Sequence, residues 1–171
     1  MNRRLVFTLL ATLASSLSAA QTPPTFSSTY VSLKSGFRPV ELSGFVEGQD
    51  IPMRKAAVGG YRLEKGYDAI STYVSVEAAG FSRVLSRPAC ELQVLGDQIE
   101  FRLANGRPFA VIVRVQCYKM SQTGAYFAER DKTNAYLLVR GLKGYEKLSR
   151  DVDVKTKDAN LVARRLADAA R

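Results

Sequence analysis

Gln98-Ile99-Glu100-Phe101-Arg102-Leu103, Ala104-Asn105-Gly106-Arg107 and Pro108-Phe109-Ala110-Val111-Ile112-Val113-Arg114-Val115-Gln116-Cys117-Tyr118 follow one another in the chain, and their reading decides the fold. The first and third stretches are rich in β-branched and aromatic residues; the second is turn chemistry. Together they read as an antiparallel hairpin. Parity constrains it. With Asn105-Gly106 alone as a two-residue loop, Phe101 falls on the face of Ile112 and Arg114. An odd loop puts Ile99, Phe101 and Leu103 with Phe109, Val111 and Val113. Burial prefers the odd loop, because a one-residue slip moves every side chain to the other face.

Working outward, residues 90–95 read as a strand parted from 98–103 by Gly96-Asp97. Alternation gives further strands at 29–33, 40–46, 69–77, 135–142 and 152–154, with 61–63 extended. Gly66-Tyr67-Asp68 reads as a turn, and residues 47–60, 80–88 and 119–134 as loops. Asp158 is the expected N-cap of a helix over 159–170. Its apolar stripe is Ala159, Val162, Ala163, Leu166 and Ala170, with Asn160, Arg164, Asp168 and Arg171 opposite. The sum is an α+β fold: mostly antiparallel β-sheet with one amphipathic C-terminal helix packed on it.

The first twenty residues read as an address. Met1-Asn2-Arg3-Arg4 is a basic head, residues 5–17 are an apolar run, and Ser18-Ala19-Ala20 offers small residues before Gln21. That is the form of a secretory signal peptide cleaved after Ala20; the apolar run is too short to span a bilayer. The expected organisation is a signal peptide at 1–20, a flexible N-terminal tail at 21–28 and one globular domain at 29–171. No transmembrane segment is expected after cleavage. The expected location is the periplasm or the medium.

Cys90 and Cys117 are the only two cysteines. In an oxidising compartment an even pair reads first as a disulfide. Cys117 shares a face with Val111, Val113 and Val115, and Cys90 with Leu92 and Val94, so both thiols point to the apolar side of their strands. Closing a loop of about 28 residues stabilises the fold by about 3–4 kcal/mol in the chain-entropy account. No CxxC spacing supports redox chemistry.

The 171 residues are 46% hydrophobic and 24% charged, which suits a globular domain rather than a collagen, a coiled coil or a disordered chain. The absence of histidine excludes Ser-His-Asp and Cys-His nucleophiles and every His-ligated metal site. Gly59-Gly60 lacks the Lys-Ser/Thr of a phosphate loop, and Asp151-Val152-Asp153 is too sparse for a calcium loop. Glu129-Arg130-Asp131 reads as solvated surface. No catalytic residue, metal or cofactor is therefore assigned; the chain has no internal repeat, and the oligomeric state is left open.

The block Glu100-Phe101-Arg102-Leu103-Ala104-Asn105-Gly106-Arg107-Pro108-Phe109-Ala110-Val111-Ile112-Val113-Arg114 resembles one in an uncharacterised family of small exported bacterial proteins, written E-[FW]-R-L-x-x-G-[RK]-P-F-A-x-I-x-R. The close of the chain, from Asp151-Val152-Asp153 through Asp158-Ala159-Asn160 to Leu166-Ala167-Asp168, is similar to the closing segment of that family. The resemblance covers roughly residues 97–171; the amino half lacks the family's usual cysteines and GYPV-like stretch. It implies an exported soluble domain and carries no activity.

Charge is the feature with functional content. Losing Arg3 and Arg4 with the leader lowers Lys plus Arg from 25 to 23 against 16 acids, a formal charge of +7. Arg114, Tyr118, Lys119, Arg140, Arg164 and Arg165 are the expected binding residues, with Lys155 and Lys157 beside the helix. Such a surface attracts an anionic envelope component or an acidic protein. The aromatics do not interleave with basic residues as stacking platforms do, so specific nucleic-acid recognition is not expected. The reading is a non-enzymatic exported binding or accessory protein; the alternative is a small secreted hydrolase using carboxylate or Ser/Lys chemistry.

Overall fold

The computed structural model describes residues 22–40, 51–67, 72–119 and 131–171. The expected leader, residues 41–46 of one expected strand, and Glu129-Arg130 lie outside the described residues. Among those described, the chain forms ten strands and one helix, mostly antiparallel β with a single C-terminal helix.

One sheet takes β1 (Phe26–Ser32), β7 (Leu92–Ala104), β8 (Arg107–Lys119), β9 (Asp131–Gly141) and β10 (Ser149–Asp153), in that spatial order. The other takes β2 (Arg38–Pro39), β3 (Met53–Ala56), β4 (Arg62–Tyr67), β5 (Thr72–Ala78) and β6 (Phe81–Val84), in chain order. Helix α1 (Ala159–Asp168) covers the free face of the first sheet. Ile99, Phe101, Val111, Val113, Val115 and Leu138 pack against Leu63, Val74, Val76 and Leu85 of the second sheet's side. On the opposite face Phe109, Ile112, Leu137 and Val139 pack against Ala163 and Ala167 of α1. The first sheet is thus the middle of three layers, and Phe109–Val113 is buried on both sides.

The hairpin resolves its parity by a bulge rather than by an odd loop. The loop is the two-residue Asn105-Gly106, with φ of 50° and 76°, closed by the pair Ala104↔Arg107. A bulge then shifts the register between Leu103↔Pro108 and Arg102↔Ala110. The extra residue corrects the faces, so Phe101 opposes Val111 and Ile99 opposes Val113. Phe109, expected on that same face, turns instead to the helix side.

Several boundaries differ for related reasons. Gly96-Asp97 does not end a strand: β7 runs through it, and residues 96–98 bulge out opposite Arg114. Cys90 precedes β7 rather than belonging to it. Phe26–Ser28, read as tail, open β1 because Ala104 back to Arg102 pairs with them. Residues 53–56, 81–84 and 131–134, read as loop, are strand. These segments have weak or no alternation, and each is recruited by a neighbour's free edge. Gly66 and Tyr67, read as a turn, close β4; an added Cβ at Gly66 would meet the Tyr73 ring lying over it. Residues 145–148 turn, and the last strand begins at Ser149.

The helix keeps part of its expected stripe, with Ala163 buried and Ala159 and Val162 packed beside it, and departs from the rest. Ala163 and Ala167 are its buried residues, whereas Leu166 is 36% and Leu161 45% exposed. Small side chains let the helix lie close on the sheet, and two of its polar residues turn inward, for the reason given below. Asp158 sits at the N-cap position in the left-handed region (φ 56°) and its side chain makes no capping hydrogen bond.

Candidate functional site

Tyr30 of β1, Glu100 of β7 and Ile112 of β8 form one cross-strand row on the helix side of the middle sheet. Ser28, Arg102 and Ala110 form the next. Glu100 and Arg102 are both buried, and each meets a partner of opposite sign on α1. Arg164 Nε donates to Glu100 Oε1 at 2.7 Å and Arg164 Nη2 to Oε2 at 3.1 Å. Arg102 Nη2 donates to both Asp168 oxygens, at 2.8 and 2.7 Å, and Arg102 Nε to Oδ1 at 3.1 Å. Ser28 Oγ joins the two pairs, accepting from Arg102 Nη1 at 2.6 Å and donating to Glu100. Tyr30 Oη accepts from Arg164 Nη2 and donates to Glu100 Oε2 at 3.3 Å.

The match is one of spacing. Two residues along a strand span about 6.6 Å, and four along a helix about 6 Å. Glu100-x-Arg102 therefore lies in register with Arg164 and Asp168, signs alternated. Burial pushes the Glu100 carboxyl up; the hydrogen bonds from Arg164 and Ser28 and the charges of Arg164 and Arg102 outweigh it and hold the carboxyl below its ordinary value. The hydrogen bond to Glu100 in turn raises the Arg164 guanidinium, against desolvation by burial. A carboxylate kept ionised, with its lone pairs taken by four donors, is a fastening for the helix and no general acid or base. Ser28, whose proton points to that carboxylate, is not an activated nucleophile.

Beside the clamp opens a groove of about 370 Å³ between the sheet and the start of α1. Its apolar lining is Ile112, Leu137, Val154 and Ala159. Its polar lining is Tyr30, Gln98, Glu100, Arg114 and Asn160. Arg114 is exposed and makes no hydrogen bond or ion pair among the described residues. It stands opposite the 96–98 bulge, where a Cβ at position 96 would come within 3.3 Å of the Arg114 Cβ. Gly96 leaves that side chain room.

The other expected binding residues separate. Arg164 reaches the groove only through Glu100 and Tyr30. Arg165 is exposed in the last turn of α1, and Lys155 and Lys157 are exposed in the turn between the groove residues Val154 and Ala159. Tyr118 and Lys119 line a smaller hollow of about 230 Å³ beside the Cys90–Cys117 disulfide, whose Cα atoms are 5.2 Å apart. Arg140 is on the opposite face of the sheet and 5% exposed. Its Nη2 lies 2.8 Å from Asp151 Oδ1 and donates to Ser86 O at 3.1 Å; its Nη1 donates to Arg150 O at 2.8 Å. Arg87 joins the same acid, with Nε 3.1 Å from Asp151 Oδ2 and its guanidinium 3.8 Å from the Tyr136 ring centroid. Arg140 is committed inside the fold and is not part of a basic surface.

Tyr30, Gln98, Glu100 and Asn160 carry no local signal of a site, because they come from three separate elements of the chain and meet only in the fold. The one signal for Glu100 was the pairing of E-x-R on a strand with R-x-x-x-D on a helix 64 residues away. Among the described residues no group of three or more His, Cys, Asp and Glu side chains is placed to hold a metal ion, and no helix is long and apolar enough to cross a membrane. The chain matches no protein-family model, no curated protein and no solved structure.

Proposed function

We propose that this protein is an exported, non-enzymatic accessory or binding domain of the cell envelope that engages an anionic partner with the helix side of its middle sheet. The observation that carries this is Arg114: an exposed cation with no partner among the described residues, on the wall of a groove whose lining residues Val154 and Ala159 are joined by a turn that carries the exposed Lys155 and Lys157. A guanidinium left unpaired in that position is available to a carboxylate, phosphate or sulfate. The leader-like first twenty residues, the disulfide and the resemblance to an exported family favour the envelope as its place of work.

The test is retention of the purified protein on a heparin-like resin at low salt. Retention is expected, weakening as salt approaches about 0.15 M, where the screening length falls to about 8 Å. The charge reversal Arg114→Glu is expected to elute earlier, while Arg38→Glu, on the other sheet, is expected to change elution less. Absence of salt-sensitive retention, or equal effects of the two reversals, refutes the assignment of this face.

A further inference from the structure

We infer that the groove between the middle sheet and α1 takes a short acidic saccharide, with a sugar ring against Tyr30, its hydroxyls on Gln98 and Asn160, and its carboxylate on Arg114. The inference rests on the anionic-partner reading and names the chemistry of that partner. Tyr30 is 53% exposed, yet its hydroxyl is held between Arg164 and Glu100. The ring is thus fixed at its tip while remaining accessible. A pyranose presents C–H groups to such a ring and hydroxyls at its edge. Hydroxyls both donate and accept, and so do the amides of Gln98 and Asn160.

The rest of the lining narrows the anion. Arg114 is the one groove cation without a partner among the described residues, and Glu100 holds a negative charge in the same groove. One free cation beside a carboxylate suits a monoanion better than a phosphate or a densely sulfated chain, and a guanidinium matches a carboxylate through two parallel hydrogen bonds. A hydrocarbon ligand would leave the two amides and the tyrosine edge without exchange for their water. The volume, about 370 Å³, lies at the small end of ligand sites and fits one or two sugar rings rather than a long chain.

The experiment is a titration of the full protein, followed by amide NMR shifts and calorimetry, with a disaccharide of one galacturonic acid and one neutral hexose, its methyl ester, a sulfated heparin fragment and an oligoglutamate peptide. Saturable binding of the disaccharide is expected, with shifts at Tyr30, Gln98 and Asn160. The methyl ester is expected to bind at least tenfold more weakly, and Arg114→Gln and Asn160→Ala each to weaken the acid form by about tenfold. Asn160 is exposed and outside the clamp, so that variant leaves the fold intact. Failure of the disaccharide to bind, or binding indifferent to esterification and to Asn160→Ala, overturns the inference. If the sulfated fragment or the peptide binds through Arg114 and the disaccharide does not, the saccharide inference falls and the anionic-partner reading stands. If none binds, both fall.

Discussion

Gly141 ends β9 where the chain doubles back. Its N–H donates to Leu148 O at 2.9 Å, and its carbonyl accepts from Arg83 Nη1 at 2.9 Å. A Cβ there would run into the Tyr145 carbonyl oxygen, which belongs to the backbone and cannot turn aside. Gly141→Ala is therefore expected to destabilise by about 3 kcal/mol, the upper end for overpacking. A urea midpoint lowered with unchanged slope checks it; an unmoved midpoint would show that the 142–148 turn yields. Gly59 is a second such position, with Pro108 Cγ 2.6 Å from its would-be Cβ and a φ of +62°. That contact sets the β3–β4 turn against the β7–β8 hairpin. Neither restriction is legible in the sequence, because each arises from a partner brought close by pairing elsewhere. Arg140 shows the same limit for charge. Alternation places it correctly on its strand, but only Asp151 on the neighbouring strand reveals it as a buried ion.

At the scale of elements, the β7–β8 hairpin was the most legible part, since Asn105-Gly106 and the run 109–115 carry both turn and burial. The faces of Phe101 and Val111 followed from burial alone. The means did not, because a bulge and an odd loop shift parity alike and only the observed register distinguishes them. The helix was legible as a span and only in part as a face, since Ala159, Val162 and Ala163 lie inward as the stripe requires and Leu166 does not. Its inner side is chosen by the clamp: Arg164 and Asp168 must reach Glu100 and Arg102. That clamp gives stability a pH dependence of definite sign. The folded protein holds Glu100 below its unfolded value of about 4.3. The unfolded chain therefore binds the proton more readily, so this contribution is complete above the unfolded pKa and disappears as pH falls through the folded one. Glu100→Gln is expected to be less stable than the parent at pH 7 and to approach it at pH 3. Denaturation midpoints across that range check it; a constant gap between the two proteins would mean that the clamp has no part in acid sensitivity.

At the scale of the molecule, the described residues form a sheet covered on one side by a second sheet and on the other by a helix. The sequence disclosed the class, antiparallel β with a C-terminal helix, because periodicity and caps are local. It did not disclose the division into two sheets: the short strands 53–56 and 81–84 have little pattern of their own and are defined by β4 and β5 beside them. The groove was hidden for a like reason, since Tyr30, Gln98, Arg114 and Asn160 come from four separate elements. The disulfide fastens the approach to β7 to the far end of β8, across a sequence separation of 27, so the middle hairpin is tied at its open end as well as turned at the other.

Burial of residues 109–113 on both sides has a consequence for how the molecule comes apart. In heavy water, amides of the outer ribbon at 81–84 and of the helix will trade hydrogen for deuterium through small openings, while those of 110–113 will wait for the entire chain to let go. Their slowest rates will report the global free energy of unfolding, and a protease acting on the intact protein will pare the periphery before it reaches that spine.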